Sequence, residues 1–111
     1  MLPDGFDQLR DRFPAIFTGG VDLGPGWYDL LWAYGEMIDE AGAYAHVTYA
    51  KEKCGALSLF VITDGALDDL DYHAETLSVW ICDECGAPGA NRADRGWFQT
   101  CCNFHDAERR S

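Results

Sequence analysis

Basic residues are scarce: Lys and Arg total 8 against 19 Asp and Glu, a formal net charge of -11 over 111 residues. A nucleic-acid binder takes much of its affinity from basic side chains that neutralise phosphates, so that class is excluded. Long apolar runs are missing too. They reach about eight residues, against the roughly 20 that a membrane helix needs. The first residues, Met1-Leu2-Pro3-Asp4, have neither the basic start nor the apolar stretch of a secretion signal, so a cytoplasmic location is expected. No Ser-His-Asp set, phosphate loop or carboxylate pair at useful spacing occurs. A chain of this length has room for one core and not two.

What is present is apolar and aromatic content (48% and 14%), enough to fill a compact interior. The negative charge is unevenly spread. Residues 1–43 carry -6 and residues 64–85 carry -7, while 44–63 and 86–111 each carry +1. Both acidic segments have helical periodicity, so two acidic helix faces are expected.

Phe6, Leu9 and Phe13 at helical spacing predict a helix from Asp4 that Pro14 stops. Thr18-Gly19-Gly20 through Gly26 has the composition of a loop. Trp27, Leu30, Leu31, Tyr34, Met37, Ile38 and Ala41 predict a second helix, ended by Gly42. Tyr44 to Lys53 alternates, with His46, Thr48 and Ala50 on one side and Val47, Tyr49 and Lys51 on the other. Ala56 to Thr63 is nearly all apolar, which predicts a well-covered strand. The short link Glu52-Lys53-Cys54-Gly55 makes the pair an antiparallel hairpin. Asp64 is the expected cap of a further helix with Leu67, Leu70, Ala74, Leu77 and Ile81 as its buried stripe. Trp97 to Thr100 is expected to form a short strand. Periodicity places Trp27, Trp32, Trp80 and Trp97 mostly in the core; any left exposed would mark an interface.

The strongest chemical signal is Cys82-Asp83-Glu84-Cys85, then 16 residues, then Cys102-Asn103-Phe104-His105. A two-residue gap lets both thiolates of a knuckle face one ion, and a second such pair at this distance completes a tetrahedral zinc site. Gly86 suits the tight turn. Cys101 could replace Cys102 as a ligand. Three thiolates and an imidazole close the site, with no position left for water, so a structural Zn2+ is expected. Cys54 is expected to be a buried side chain.

Other arrangements are weaker. His73-Ala74-Glu75 before Cys82 echoes the zinc deaminases, but one continuous helix from Glu75 to Cys82 could not wrap these groups around an ion. Redox chemistry at Cys82 and Cys85 is disfavoured by Asp83, Glu84 and a helix C-terminus, which raise thiol pKa values. Asp64, Asp68, Asp69 and Asp71 lack a calcium-loop pattern, and His46 has no evident base or nucleophile beside it.

Four segments together carry a resemblance. Gly24-Pro25-Gly26-Trp27-Tyr28-Asp29-Leu30-Leu31 resembles G-D-G-W-F-x-L-I, and Lys51-Glu52-Lys53-Cys54-Gly55-Ala56-Leu57 resembles K-E-K-F-G-G-L. Cys82 to Gly89 resembles C-x-x-C-G-x-P-G, and Gly96 to His105 resembles G-W-x-x-T-L-C-x-x-H. The chain is thus similar, over most of residues 19–106, to a widespread family of short bacterial, phage and prophage proteins. The resemblance implies that Cys102 is the third ligand, since Cys101 falls where the family tends to carry Leu. The chain departs from the pattern at Pro25, in place of Asp, and Cys54, in place of Phe.

The expected architecture is a small single α+β domain, two to three helices packed on a β-hairpin with a zinc-ribbon or knuckle-like end. Residues 1–17 would be the N-terminal helix, 18–81 a helix–hairpin–helix core, 82–105 the zinc-binding end and 106–111 a tail. The expected function is a non-enzymatic, acidic, zinc-stabilised protein-interaction module in the cytoplasm of a bacterial host cell. For a phage-type chain its most concrete form is an anti-CRISPR or other anti-defence inhibitor. Asp68, Asp69, Asp71, Glu75, Asp83 and Glu84 would then mimic nucleic-acid phosphates against a basic partner. The alternative is an immunity or regulatory protein that binds a toxin or other basic partner. The closed ligand set disfavours a small metal enzyme.

Overall fold

The computed structural model describes residues 5–65, 67–94 and 96–110. It is an α+β fold. Helix α1 (Gly5–Arg12) leads to strand β1 (Phe17–Asp22). Helix α2 (Tyr28–Ala41) follows, then strands β2 (Ala45–Lys53) and β3 (Ala56–Thr63) and helix α3 (Asp68–Ser78). Two short strands, β4 (Ala90–Arg92) and β5 (Gln99–Cys101), and helix α4 (Asn103–Arg110) complete the chain. No helix among the described residues is long and apolar enough to cross a membrane.

α1 buries Phe6 and Leu9, with Phe13 just beyond it, as the spacing predicts; the expected start at Asp4 lies outside the described residues. α2 ends as expected at Gly42, whose φ of 62° completes a left-handed cap. Its buried row is Leu31, Tyr34, Gly35 and Ile38, while Met37 and Ala41 face out.

The expected loop at Thr18-Gly19-Gly20 is instead the edge strand β1, paired in parallel with β2 in a sheet of order β1-β2-β3. Glycine here serves close approach and not a turn. A Cβ on Gly19 would sit 1.7 Å from the Thr48 carbonyl oxygen. Both ladders of β2 shift register at this place, between Phe17 and Gly20 on one side and between Val47 and Tyr49 on the other. The shift breaks the expected alternation, because Ala45 and Val47 are buried but the next buried residue is Ala50. α2 forms the crossover that a parallel β1–β2 pair needs.

β2 and β3 are the expected antiparallel hairpin. Cys54 and Gly55 both have positive φ (54° and 79°), the backbone of a tight two-residue turn. That geometry turns Cys54 outward, so it is exposed and not buried. β3 is covered on one face only: Phe60 and Ile62 are exposed, as is Tyr49 beside Phe60.

α3 starts after Leu67, three residues later than a cap at Asp64 would put it, and without a side-chain cap. It ends at Ser78, so Ile81 lies beyond it, bridged to Pro88. α3 also closes the free edge of the sheet. Leu59 N–H donates to Glu75 Oε2 (2.8 Å) and Leu57 N–H to Ser78 Oγ (2.9 Å). Of the tryptophans, Trp27 is fully buried and Trp32 partly so, but Trp80 and Trp97 are 63% and 58% exposed. Both exposed ones lie outside regular elements, where helical periodicity says nothing about burial.

Candidate metal centre

The C-terminal end is built around the cysteines. Its buried apolar cluster is only Cys82, Cys101 and Cys102, with Ala87 against it. Cys82 and Cys85 sit on a knuckle. Cys82 N–H donates to Ala87 O (2.8 Å), Gly86 N–H donates to Cys82 O (3.0 Å), and Gly86 takes the positive φ that the turn requires. Asp83 N–H donates to Thr100 O (3.0 Å), which joins the knuckle to β5. β5 pairs with β4 and delivers Cys102 at its end. Asn103 then starts α4, whose first turn brings His105 back over Cys102. The expected tail at 106–111 is thus helical through Arg110.

The ligand atoms of Cys82, Cys85, Cys102 and His105 all lie within 4.8 Å of one another, so these four side chains can hold one metal ion. His105 Nδ1 is 3.5 Å from Cys82 Sγ and 3.3 Å from Cys102 Sγ, and Cys85 Sγ is 3.8 Å from Cys102 Sγ. Cys101, buried one residue earlier on β5, is outside the cluster. The choice left open by spacing falls on Cys102.

The thiol environments differ. Burial pushes the Cys82 thiol up, but amide groups of Cys85, Cys102 and Glu84 outweigh it and bring it down to about 6. The His105 amide lowers Cys102. For Cys85 the Ala87 amide pulls down, but desolvation and the two neighbouring sulfurs leave it raised. Hydrogen bonds from the imidazole to the sulfurs, that to Cys102 first, raise His105. The expectation that a helix C-terminus lifts these thiols does not hold, because α3 stops at Ser78. Buried Cys101 is raised by desolvation.

A ring of charged side chains surrounds the cluster and carried no clear sequence signal. His105 Nε2 lies 3.7 Å from Glu84 Oε2 and 3.8 Å from Glu108 Oε1, carboxylates that can fix the imidazole. Arg109 Nη2 reaches Asp83 Oδ1 (2.7 Å) and Glu84 Oε2 (3.1 Å), and its Nη1 donates to Gln99 Oε1 (3.0 Å). Arg92 binds Asp106 (3.2 Å), the Cys101 carbonyl (3.3 Å) and Asn103 (2.9 Å). The four-residue step from His105 to Arg109 is the one hint that a helix would align them.

Four of the six acids expected to face a partner are engaged within the fold. Asp71 accepts from the Tyr34 hydroxyl, Glu75 from Leu59 N–H, and Asp83 and Glu84 both hold Arg109. Asp68 and Asp69 are exposed at the start of α3. His73 is exposed on α3 and, with Glu75, lies outside the metal cluster. His46 Nδ1 is 2.6 Å from the Ala15 carbonyl oxygen. No protein-family model, curated protein or solved structure matches this chain.

Proposed function

We propose that the chain is a non-enzymatic protein-interaction module whose C-terminal end is held by a structural zinc ion, and that its partner is a basic protein. The observation that carries the zinc is the spacing of the ligand atoms. A tetrahedron with Zn–S of about 2.3 Å and Zn–N of about 2.0–2.1 Å has S–S edges near 3.8 Å and S–N edges near 3.5 Å. The sulfur pair at 3.8 Å and the sulfur–nitrogen pairs at 3.5 and 3.3 Å fall at those values. Three thiolates and one imidazole fill all four positions, which suits a structural ion and leaves none for substrate water.

The net charge of -11 supports a basic partner. Large exposed aromatics, Tyr72, Trp80, Trp97 and Phe104 among them, are side chains that interfaces favour. Metal analysis of the purified chain is expected to give one zinc per molecule, lost in Cys85→Ser. A folded wild-type protein without zinc overturns the zinc assignment.

A further inference from the structure

A groove of about 250 Å³ runs between α2 and α3. Leu30, Ala33 and Met37 line it from α2, and Leu70, His73 and Leu77 from α3. On each helix these residues fall at i, i+3 and i+7, one row along one face, and buried Tyr34 and Ala74 complete the lining at i+4. Leu30 and Leu70 pack partly against the core, but the far ends of the rows stay open: Met37 and Leu77 are 54% and 52% exposed. The Tyr34–Asp71 hydrogen bond ties the two helices together.

The charges around this row have one sign. At 100° per residue, Asp29, Glu36 and Glu40 fall just to one side of the Ala33–Met37 row, away from the buried residues Leu31, Gly35 and Ile38. Asp69 has the same position beside Leu70 and His73. Neither helix contains a lysine or arginine.

We propose, resting on the interaction-module reading above, that this groove docks a basic amphipathic helix of a partner protein. The occupant's apolar side chains enter between Met37 and Leu77, and its Lys or Arg flanks meet the acidic rim. A helix fits better than a strand. Both walls are helices whose main-chain groups are bonded internally, so a strand laid there would leave its own backbone unpaired. A second copy of this chain, also at -11, would be repelled.

The test uses the full metal-loaded chain, labelled with nitrogen-15, and a synthetic amphipathic helix of about 18 residues made of Leu and Lys. Amide shifts are expected at α2 and α3, with binding that weakens as salt is added. Leu77→Lys, at a half-exposed site that folding tolerates, is expected to weaken binding about tenfold or more. Phe60→Ser, on the open face of the sheet, is expected to leave binding unchanged, and a Leu and Glu peptide is expected not to bind. Shifts centred on Tyr49 and Phe60, full binding by Leu77→Lys, or no binding by the Lys peptide each overturn the groove assignment. Zinc content is read on the same samples. A zinc-loaded chain that ignores the peptide loses only the groove assignment, whereas a zinc-free chain that binds at the groove loses only the zinc proposal.

Discussion

Residues 5–78 and residues 82–110 are held together by different forces. The first region has a continuous apolar core in which Leu9, Trp27, Leu31 and Ala50 are all completely buried. The second buries three cysteines and little else apolar. Its side chains are linked largely by charge, through the arginine clamps of Arg92, Arg109 and Arg110 on Asp83, Glu84, Asp94 and Asp106. Burial of apolar surface stabilises the first region without a ligand. A segment this short with so small a core needs a staple, and the four-ligand cluster is positioned to provide one.

With zinc bound as proposed, its removal is the largest perturbation of that difference. Structural zinc binding is worth about 10–16 kcal/mol in small finger peptides, so chelation should cost the C-terminal end several kcal/mol. Hydrogen exchange after chelation is expected to show lost protection in β4, β5 and α4, with protection kept in β2 and β3. Among the described residues, three of the following bonds cross between the regions and the first ties the core to Ile81 in the link between them. Trp27 Nε1 donates to Ile81 O (2.9 Å), Gly26 N–H to Asp83 O (2.8 Å), Asn91 Nδ2 to Cys54 O (3.2 Å) and the Thr100 hydroxyl to Gly55 O. If these couple the regions strongly, β2 and β3 will lose protection together with the metal site, and the two-region distinction falls.

The Cys/His cluster was legible because a knuckle is local: the spacing of Cys82, Cys85, Cys102 and His105 nearly dictates their meeting once the chain turns. α2 and the β2–β3 hairpin were legible for the same reason, through periodicity and a short turn. β1 was not, since Gly19 signals a turn by composition but is needed for contact with Thr48, 29 residues away. β5 was legible in part, since the strand expected at Trp97 to Thr100 lies at Gln99–Cys101, while β4 has only three residues, too short for any periodic pattern. The acids misled because their number fixes charge but not placement: Glu75 is drawn to the backbone of β3 and Asp83 to Arg109.

A smaller effect is expected from Arg109→Ala. The guanidinium holds two carboxylates and an amide at once, and both it and Asp83 are about three-quarters shielded. Its removal leaves Asp83 and Glu84 as adjacent charges next to a cluster of thiolates. A loss of about 1–2 kcal/mol in the metal-bound chain is expected, read as a lower denaturation midpoint. Arg109→Lys should restore only part of it, because one ammonium cannot span all three acceptors. An unchanged midpoint in Arg109→Ala would mean that the cluster alone orders this end.

The smallest predicted effect concerns the corresponding charged contact in the first region, and its sign is opposite. Burial raises the Asp71 carboxyl and the charge on Asp68 adds to this, while the Tyr34 hydrogen bond only partly offsets them. The folded chain therefore holds this proton more tightly than the unfolded one. Stability from this site is present below the ordinary carboxylate pKa and falls as pH rises through the raised value. Asp71→Asn keeps an acceptor for the Tyr34 hydroxyl without the charge. Solvent screening at this partly buried site limits the gain to a few tenths of a kcal/mol. The variant should match the wild type at about pH 3 and equal or slightly exceed it at neutral pH. Denaturation across that range measures it. A clear loss in Asp71→Asn at neutral pH, comparable to that in Arg109→Ala, would show that charged contacts stabilise both regions alike.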